Sequence, residues 1–410
     1  MSLTRFLPTP SDRMGILWSL LNIEDAVIVE YGPAGTTHFS MSLFGELGIE
    51  QENRLFTTHL REEDVVMGDT SRLENALAEV DENFHPAVIF VAASSCSAVI
   101  GTDLRGVCTM VQPKVKAKLV TFEQGGFRGD YAAGIKETYR LLADQMVKPD
   151  TEKRPGTFNI LGASIGAYRC KADALEIDRL MAEAFGIKLH TALCLETDLE
   201  KIGSMGGAEL NLVIRQEALP AAKLLESKCG TPYVYGAPYG YQGTLDWLEA
   251  IGKQIGRPVN PRLAGELKKR AMEVMQYRMY GRMLRRDKPQ ACLYGEYETV
   301  RGLGAFLSTM GIAPTNQISA HSLAPLENPE DGIQYLPAEK ERINLLRSLH
   351  HTLVLADDTS RHLLDADNTF IRIATPLIDS AQVATHMPLM GPRGADMIME
   401  TVDAYFNTLR

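Results

Sequence analysis

Long hydrophobic runs are missing from this chain of 410 residues, and no segment is long enough to cross a bilayer as an apolar helix. The first apolar stretch, residues 14–23, is too short, and residues 1–13 carry Pro8, Pro10 and charges in place of a secretory leader. No CxxC pair occurs. Cys96, Cys108, Cys170, Cys194, Cys229 and Cys292 lie far apart, which in a reducing compartment favours buried thiols or metal ligands over disulfides. No basic stripe offsets the formal net charge of −10, so neither nucleic acid nor an anionic membrane is the expected partner. A GxxxxGK(S/T) loop is also lacking, and the chain itself is not expected to bind ATP. What remains is the expectation of a soluble, cytoplasmic protein.

What is present is an ordinary globular balance, 45% hydrophobic and 23% charged, on a chain too long for a single core. Short β-branched runs end in Gly, Pro or Ser and give way to stretches of helical period. Strands are expected at 25–31, 53–58, 87–92, 118–122, 157–161, 187–194, 209–214, 232–235, 291–294, 352–355 and 369–373. Helices are expected at 69–83, 134–146, 171–185, 220–228, 263–286 and 301–310, with a last one at the C-terminus. Alternation of this kind predicts an α/β fold with parallel sheets covered by helices on both faces. The polar segment 148–156 (KPDTEKRPG) reads as a linker, and a softer boundary falls near 256–261. The expected organisation is three Rossmann-like domains, 1–148, 149–258 and 259–410, each a parallel sheet flanked by helices.

Ligands of parallel sheets gather where strands end and helices begin, and four such loops are unusual. The first is 30–39 (EYGPAGTTHF), whose glycines and proline allow close backbone approach; the plainer reading is a βα turn capped by threonine. The second, 93–104 (ASSCSAVIGTDL), sets Cys96 between a strand and a helix, where the helix dipole favours thiolate and hence a metal ligand or nucleophile. A structural cysteine is the alternative there. The third is the glycine-rich 123–130 (EQGGFRGD), and the fourth is 386–396 (HMPLMGPRGAD).

Taken in order, these loops resemble those of the nitrogenase component 1 superfamily. The segment 31–36 looks like the HGPxGC turn of that family, and 65–73 (VVMGDTSRL) is similar to its VxFGGxxKL. The segment 95–103 resembles TCPxxxIGDD, and 158–162 (FNILG) resembles VNIIG. The last loop is similar to HxPxxGyrGA, and 210–213 (LNLV) and 230–233 (GTPY) match two further strands. The resemblance covers nearly the whole chain. It implies an interfacial iron–sulfur cluster to which each subunit gives up to three cysteines. Only Cys96 is kept here: Thr36 stands at the second position, and Pro10 or Ser11 at the first. Threonine is a poor iron ligand, because its hydroxyl is hard and scarcely ionised.

Two arrangements follow from the resemblance. In one, the chain is the ligand-poor half of a heterodimer or heterotetramer and Cys96 completes a 4Fe–4S cluster shared with a homologous subunit. In the other, the cluster is lost or is held by a homodimer. The resemblance further implies that Gly32, Pro33, Gly35, Thr36 and Thr37 surround the cluster. Glu30, His38, Arg128 and His386 are candidates for a substrate cavity. A separate ATP-dependent iron protein would supply electrons, and the chain would pass them to an unidentified substrate. Arg215 occupies the position of the cysteine that holds the nitrogenase active-site cofactor, so dinitrogen is not the expected substrate. A non-catalytic scaffold for cofactor assembly and a cluster-free binding module are the rival classes. Among the other cysteines, Cys108 is expected in the core and Cys170 at the surface. His59, His350 and His351 read as surface or packing residues, and the basic stretch 268–286 as a solvated helix face.

Overall fold

The computed structural model describes residues 4, 9–38, 40, 54–149, 152–283, 288–322, 332–376 and 386–409. Among them, every strand belongs to one of three wholly parallel sheets. The first holds β1 (Ala26–Tyr31), β2 (Leu55–Thr57), β3 (Val88–Ala93) and β4 (Lys118–Phe122) in the order β2-β1-β3-β4. The second holds β5 (Arg154–Leu161), β6 (Lys188–Ala192), β7 (Ala208–Val213) and β8 (Tyr233–Tyr235) in the order β6-β5-β7-β8. In the third, β9 (Gln290–Gly295), β10 (Ala313–Ser319), β11 (Gln334–Tyr335), β12 (Leu353–Ala356) and β13 (Thr369–Arg372) are ordered β11-β10-β9-β12-β13. Helices cover the sheets, so the fold is the expected α/β class.

The central strands explain the pattern. AVIVEY in β1 and VIFVAA in β3 are buried at every position, as parallel strands covered on both faces must be. The outer strand β4 keeps partly exposed residues. Each sheet reverses its winding once: between β1 and β3, between β5 and β7, and between β9 and β12. Those switch points open crevices at the carboxyl ends of the strands, where ligands of such sheets bind.

One hydrophobic cluster runs through all three sheets, joining Phe90 and Val120 to Phe158 and Leu210 and on to Leu293 and Leu353. The remaining faces of the first and third sheets carry smaller clusters of their own. The helix Asp12–Leu20, buried at all nine positions, crosses the helix Tyr131–Gln145 at close range. Glycine makes the crossing possible. A Cβ on Gly15 would lie 1.9 Å from the Tyr131 carbonyl oxygen, and one on Gly134 would lie 1.8 Å from that of Asp12.

Elements not expected from sequence include β10, β11, and the helices Asp12–Leu20, Glu62–Met67, Tyr241–Ile255 and Glu339–Arg347. Strand β10 (APTNQIS) has little apolar alternation, contains Pro314 and shifts register between Pro314 and Asn316, so its pairing with β9 is a tertiary outcome. The expected helix 263–286 begins earlier, at Pro261, and part of its predicted end lies outside the described residues, as does Asn53 of the predicted second strand. Among the described residues, no helix is long and apolar enough to cross a membrane.

Candidate functional site

Three of the four loops singled out in the sequence converge at the β1–β3 switch point; the fourth, 386–396, lies elsewhere. Gly32 follows β1 and touches the turn after β3: a Cβ there would sit 2.4 Å from Ser94 Cβ and 3.4 Å from Thr36 Oγ1. Ser94 caps the short helix Ser95–Val99 and accepts a hydrogen bond from the Ser97 backbone N–H at 3.2 Å. Gly125, at φ +41°, packs so tightly that a Cβ would meet Ala98 Cβ at 2.2 Å. Gly126 faces Ser11 and Ser95, with its Cβ position 3.2 Å and 3.4 Å from their hydroxyl oxygens. Residue 11, Ser94–Ser95 and the 125–126 turn thus form one surface, and Cys96 stands exposed on it. Around it lies an apolar rim, with Val99 71% and Phe127 65% exposed, and Ile100 also open to solvent. The helix Glu62–Met67, on the segment after β2, adds exposed Val66 and Met67.

Behind this surface the chain is braced by a buried ion pair. Arg13, on the helix Asp12–Leu20, pairs with Glu30, which is wholly buried at the end of β1. Thr37 Oγ1 donates to Glu30 Oε2 at 2.5 Å, and Arg13 Nη2 donates to Ser40 Oγ at 3.1 Å. Thr36 Oγ1 donates back to the Pro33 carbonyl at 2.9 Å, so its hydroxyl is used locally. Pro33 is half-buried and Gly35 exposed, with open space where its Cβ would point.

His38 and Arg128 are exposed, and the Arg128 backbone N–H donates to Asp12 Oδ2 at 3.0 Å. His386 is exposed at the outer end of its loop. That loop is anchored further on, where the Leu389 and Met390 N–H groups donate to buried Asp173 at 2.7 and 2.9 Å. Burial, against those two bonds, raises the Asp173 carboxyl to about 6.

A second site lies where the second and third sheets face the helix Tyr131–Gln145. A cavity there is lined by Tyr131, Gly162, Ser164, Arg215, Glu217 and Glu296 among others. None of Glu30, His38, Arg128 or His386 lines it. Gly162 ends β5 at φ +103°, and a Cβ there would come within 2.8 Å of the Arg215 backbone nitrogen, so glycine lets the ends of β5 and β7 close up. Arg215 and Glu217 follow β7, Glu296 and Glu298 follow β9, and His321 follows β10; all are buried. Tyr131 donates its hydroxyl to Glu296 Oε1 at 2.7 Å. Glu298 Oε1 accepts from the Gln216 N–H at 2.7 Å and from the Tyr235 hydroxyl at 2.9 Å.

Charge dominates this cavity. Burial, then repulsion from Glu296, pushes Glu217 up to about 7 against the pull of Arg215. Glu298 rises to about 7 through burial and then Glu217. Burial opposes the Arg215 charge, but Tyr239, Glu296, Glu298 and Glu217 together raise its pKa. Among these residues only Arg215 stood out in the sequence. The pair Glu296 and Glu298 directly after an apolar strand, and Glu217 two residues beyond Arg215, were the available signals. His321 offered none, because the strand before it was not visible.

The remaining cysteines are not at either surface. Cys108, Cys170, Cys194 and Cys292 are buried, and Cys229 is half-buried. For Cys170 this corrects the sequence expectation of exposure: it opens the helix Cys170–Phe185 from within the core, and burial pushes its thiol up to about 12. His350 and His351 sit beside Asp367 at the surface, as expected.

Three parallel sheets wound in this way form the fold of nitrogenase proteins. The structure titled "Nitrogenase Cp1 at pH 6.5" superposes with a TM-score of 0.82 at 16% identity, covering 99% of this chain and 94% of that one. The model of the family described as nitrogenase component 1 type oxidoreductase matches residues 11–407, and the chain belongs to that family.

Similar curated proteins carry two kinds of name. The nitrogenase iron-molybdenum cofactor biosynthesis protein NifE of Methanococcus maripaludis is 27% identical over 270 residues, 63% of this chain and 55% of that protein. NifE of Klebsiella pneumoniae is 26% identical over 85% of this chain and 75% of its own length. The nitrogenase molybdenum-iron protein alpha chain of Clostridium pasteurianum is 27% identical over 62% of this chain and 47% of its own. The chain spans about half the length of most of the curated relatives it matches.

Proposed function

We propose that this chain is one subunit of a cytoplasmic, nitrogenase-like component 1, and that Cys96 ligates a 4Fe–4S cluster shared with a homologous subunit. The observation that carries this is the setting of Cys96: an exposed thiol at a switch point, on a surface kept free of bulk by Gly125 and Gly126, inside an apolar rim. The residues fit half of a shared site. One soft ligand is present, Ser11, Ser95 and Thr36 offer only hydroxyls nearby, and a partner subunit would supply the other thiolates.

Such a cluster, when bound, takes up and releases single electrons. The residues of this chain position it and exclude water: Val99, Ile100 and Phe127 become covered by the partner, and Gly32 and Gly35 leave the backbone free to approach. The Arg13–Glu30 pair holds the 30–38 turn in place. An ATP-dependent iron protein would be the electron donor.

The large iron–molybdenum cofactor of nitrogenases does not fit this chain. Its cysteine position is Arg215, and the cavity around it is lined by carboxylates and contains no cysteine. Dinitrogen reduction is therefore not the reaction proposed, and the cavity admits only small ligands.

A second reading, a scaffold on which a metal cofactor is assembled, is favoured by the NifE names of several relatives. The two are separated by electron paramagnetic resonance of the anaerobically purified subunit pair, mixed with its iron protein and ATP. A reduced-cluster signal that appears with ATP and decays on turnover supports the relay. A reducible cluster that never reoxidises, with metal cargo released to an acceptor, supports the scaffold.

A further inference from the structure

We propose that Glu217, Glu296 and His321 form a site for one divalent transition-metal ion at the meeting of the second and third sheets. This proposal is independent of Cys96 and of any shared cluster. The donor atoms of the three residues lie within 4.8 Å of one another. His321 Nε2 is 3.6 Å from Glu296 Oε2 and 3.8 Å from Glu217 Oε1. A first-row ion bound at about 2.1 Å separates neighbouring donors by about 3.0–3.4 Å, so side-chain rotations that draw the three donors together would close the set.

Three further observations point to a ligand. Both carboxylate oxygens of Glu217 and both ring nitrogens of His321 are buried without a hydrogen-bond partner. Native proteins rarely leave such atoms orphaned unless something else satisfies them. Charge is also unbalanced: with all groups ionised, Glu217, Glu296 and Glu298 face Arg215 alone, leaving two negative charges in a dry site that a divalent cation would cancel. Finally, Tyr131 donates to Glu296 Oε1 and leaves Oε2 turned toward His321, the outer-shell bond that fixes a ligating carboxylate.

An imidazole with two carboxylates suits iron(II), zinc or manganese better than magnesium or calcium. Three protein ligands leave coordination positions open toward the cavity lined by Gly162, Ser164 and Arg215, where a small ligand could bind the ion.

The test uses the full chain, stripped with a chelator and titrated with cobalt(II), a visible reporter. Expected are one cobalt per chain with d–d absorption, at least a tenfold weaker titration for His321→Gln and for Glu217→Gln, and no change for Cys96→Ser. No saturable cobalt binding by the wild-type chain would overturn the proposal. So would a thiolate-to-cobalt charge-transfer band, or unchanged binding by folded His321→Gln. Because the wild-type spectrum alone distinguishes imidazole–carboxylate from thiolate ligation, the outcome stands even if a variant fails to fold. Loss of the iron–sulfur cluster in Cys96→Ser with cobalt binding intact would separate this site from the one proposed above.

Discussion

Glu30 braces the turn after β1 from within the core. Its carboxylate is fully buried against Arg13, and removing one member of such a pair strands the other charge. Glu30→Gln is expected to cost about 3–5 kcal/mol in urea unfolding, more than any surface ion pair of this chain would. A loss below about 1 kcal/mol would mean that the pair is hydrated. The cavity carboxylates make a second residue-scale prediction. The folded-state pKa of Glu217 and Glu298 is raised from 4.5 to about 7, so their contribution to stability is fully present below 4.5 and lost as pH rises through 7. His190, held below its usual value mainly by burial, acts in the opposite sense as pH falls through 6.5. In chelator-treated protein, the Glu217→Gln/Glu298→Gln double variant should flatten the decline in melting temperature between pH 4.5 and 7. An unchanged profile would show that these groups do not titrate there. Cys96 stood out in the sequence through its place after an apolar strand together with the match of 95–103 to a family motif, and its exposure is seen only in the fold. Glu217, Glu296 and His321 did not stand out, because they are brought together only by tertiary packing of two sheets.

Among the elements, the crossing of the helices Asp12–Leu20 and Tyr131–Gln145 decides how the N-terminus meets the first sheet. Two effects compete in Gly134→Ala. Alanine gains up to about 1 kcal/mol of helix propensity, while a methyl 1.8 Å from the Asp12 carbonyl overpacks the crossing at about 1–3 kcal/mol. The clash wins, and the variant is expected to unfold at lower urea. Gly265→Ala, on the exposed face of the helix Pro261–Met283 with nothing within 4 Å, should instead stabilise by about 0.5–1 kcal/mol. Equal shifts in both variants would contradict the crossing. The first of these helices was hidden in the sequence for a physical reason. Asp12, Arg13, Ser19 and Gly15 are all buried in it, so no amphipathic stripe exists to be read. By contrast, the fully buried β1 and β3 announce themselves, because strands covered on both faces must be continuously apolar.

At the scale of the molecule, the three sheets are built from consecutive stretches of chain, and we propose that each with its helices is one domain, 1–148, 149–258 and 259–410. Most of the α/β rhythm was readable because, among the described residues, every strand except β10 is followed by a helix; β10 and β11 were not read. The continuity of the core across all three sheets was not readable, since it depends on which faces meet. The two sites differ in character: the β1–β3 surface is open with an apolar rim, where we propose the shared cluster, and the inner cavity is buried and charged, where we propose the ion.

Iron content decides whether the first of these sites holds a cluster. The chain would be purified anaerobically alone and with its homologous partner, and iron and acid-labile sulfide counted beside Cys96→Ser. About four irons per subunit pair are expected, lost or spectroscopically altered in the variant, and few in the isolated chain. Iron absent from the wild-type pair, or unchanged by the loss of Cys96, would contradict the proposed cluster.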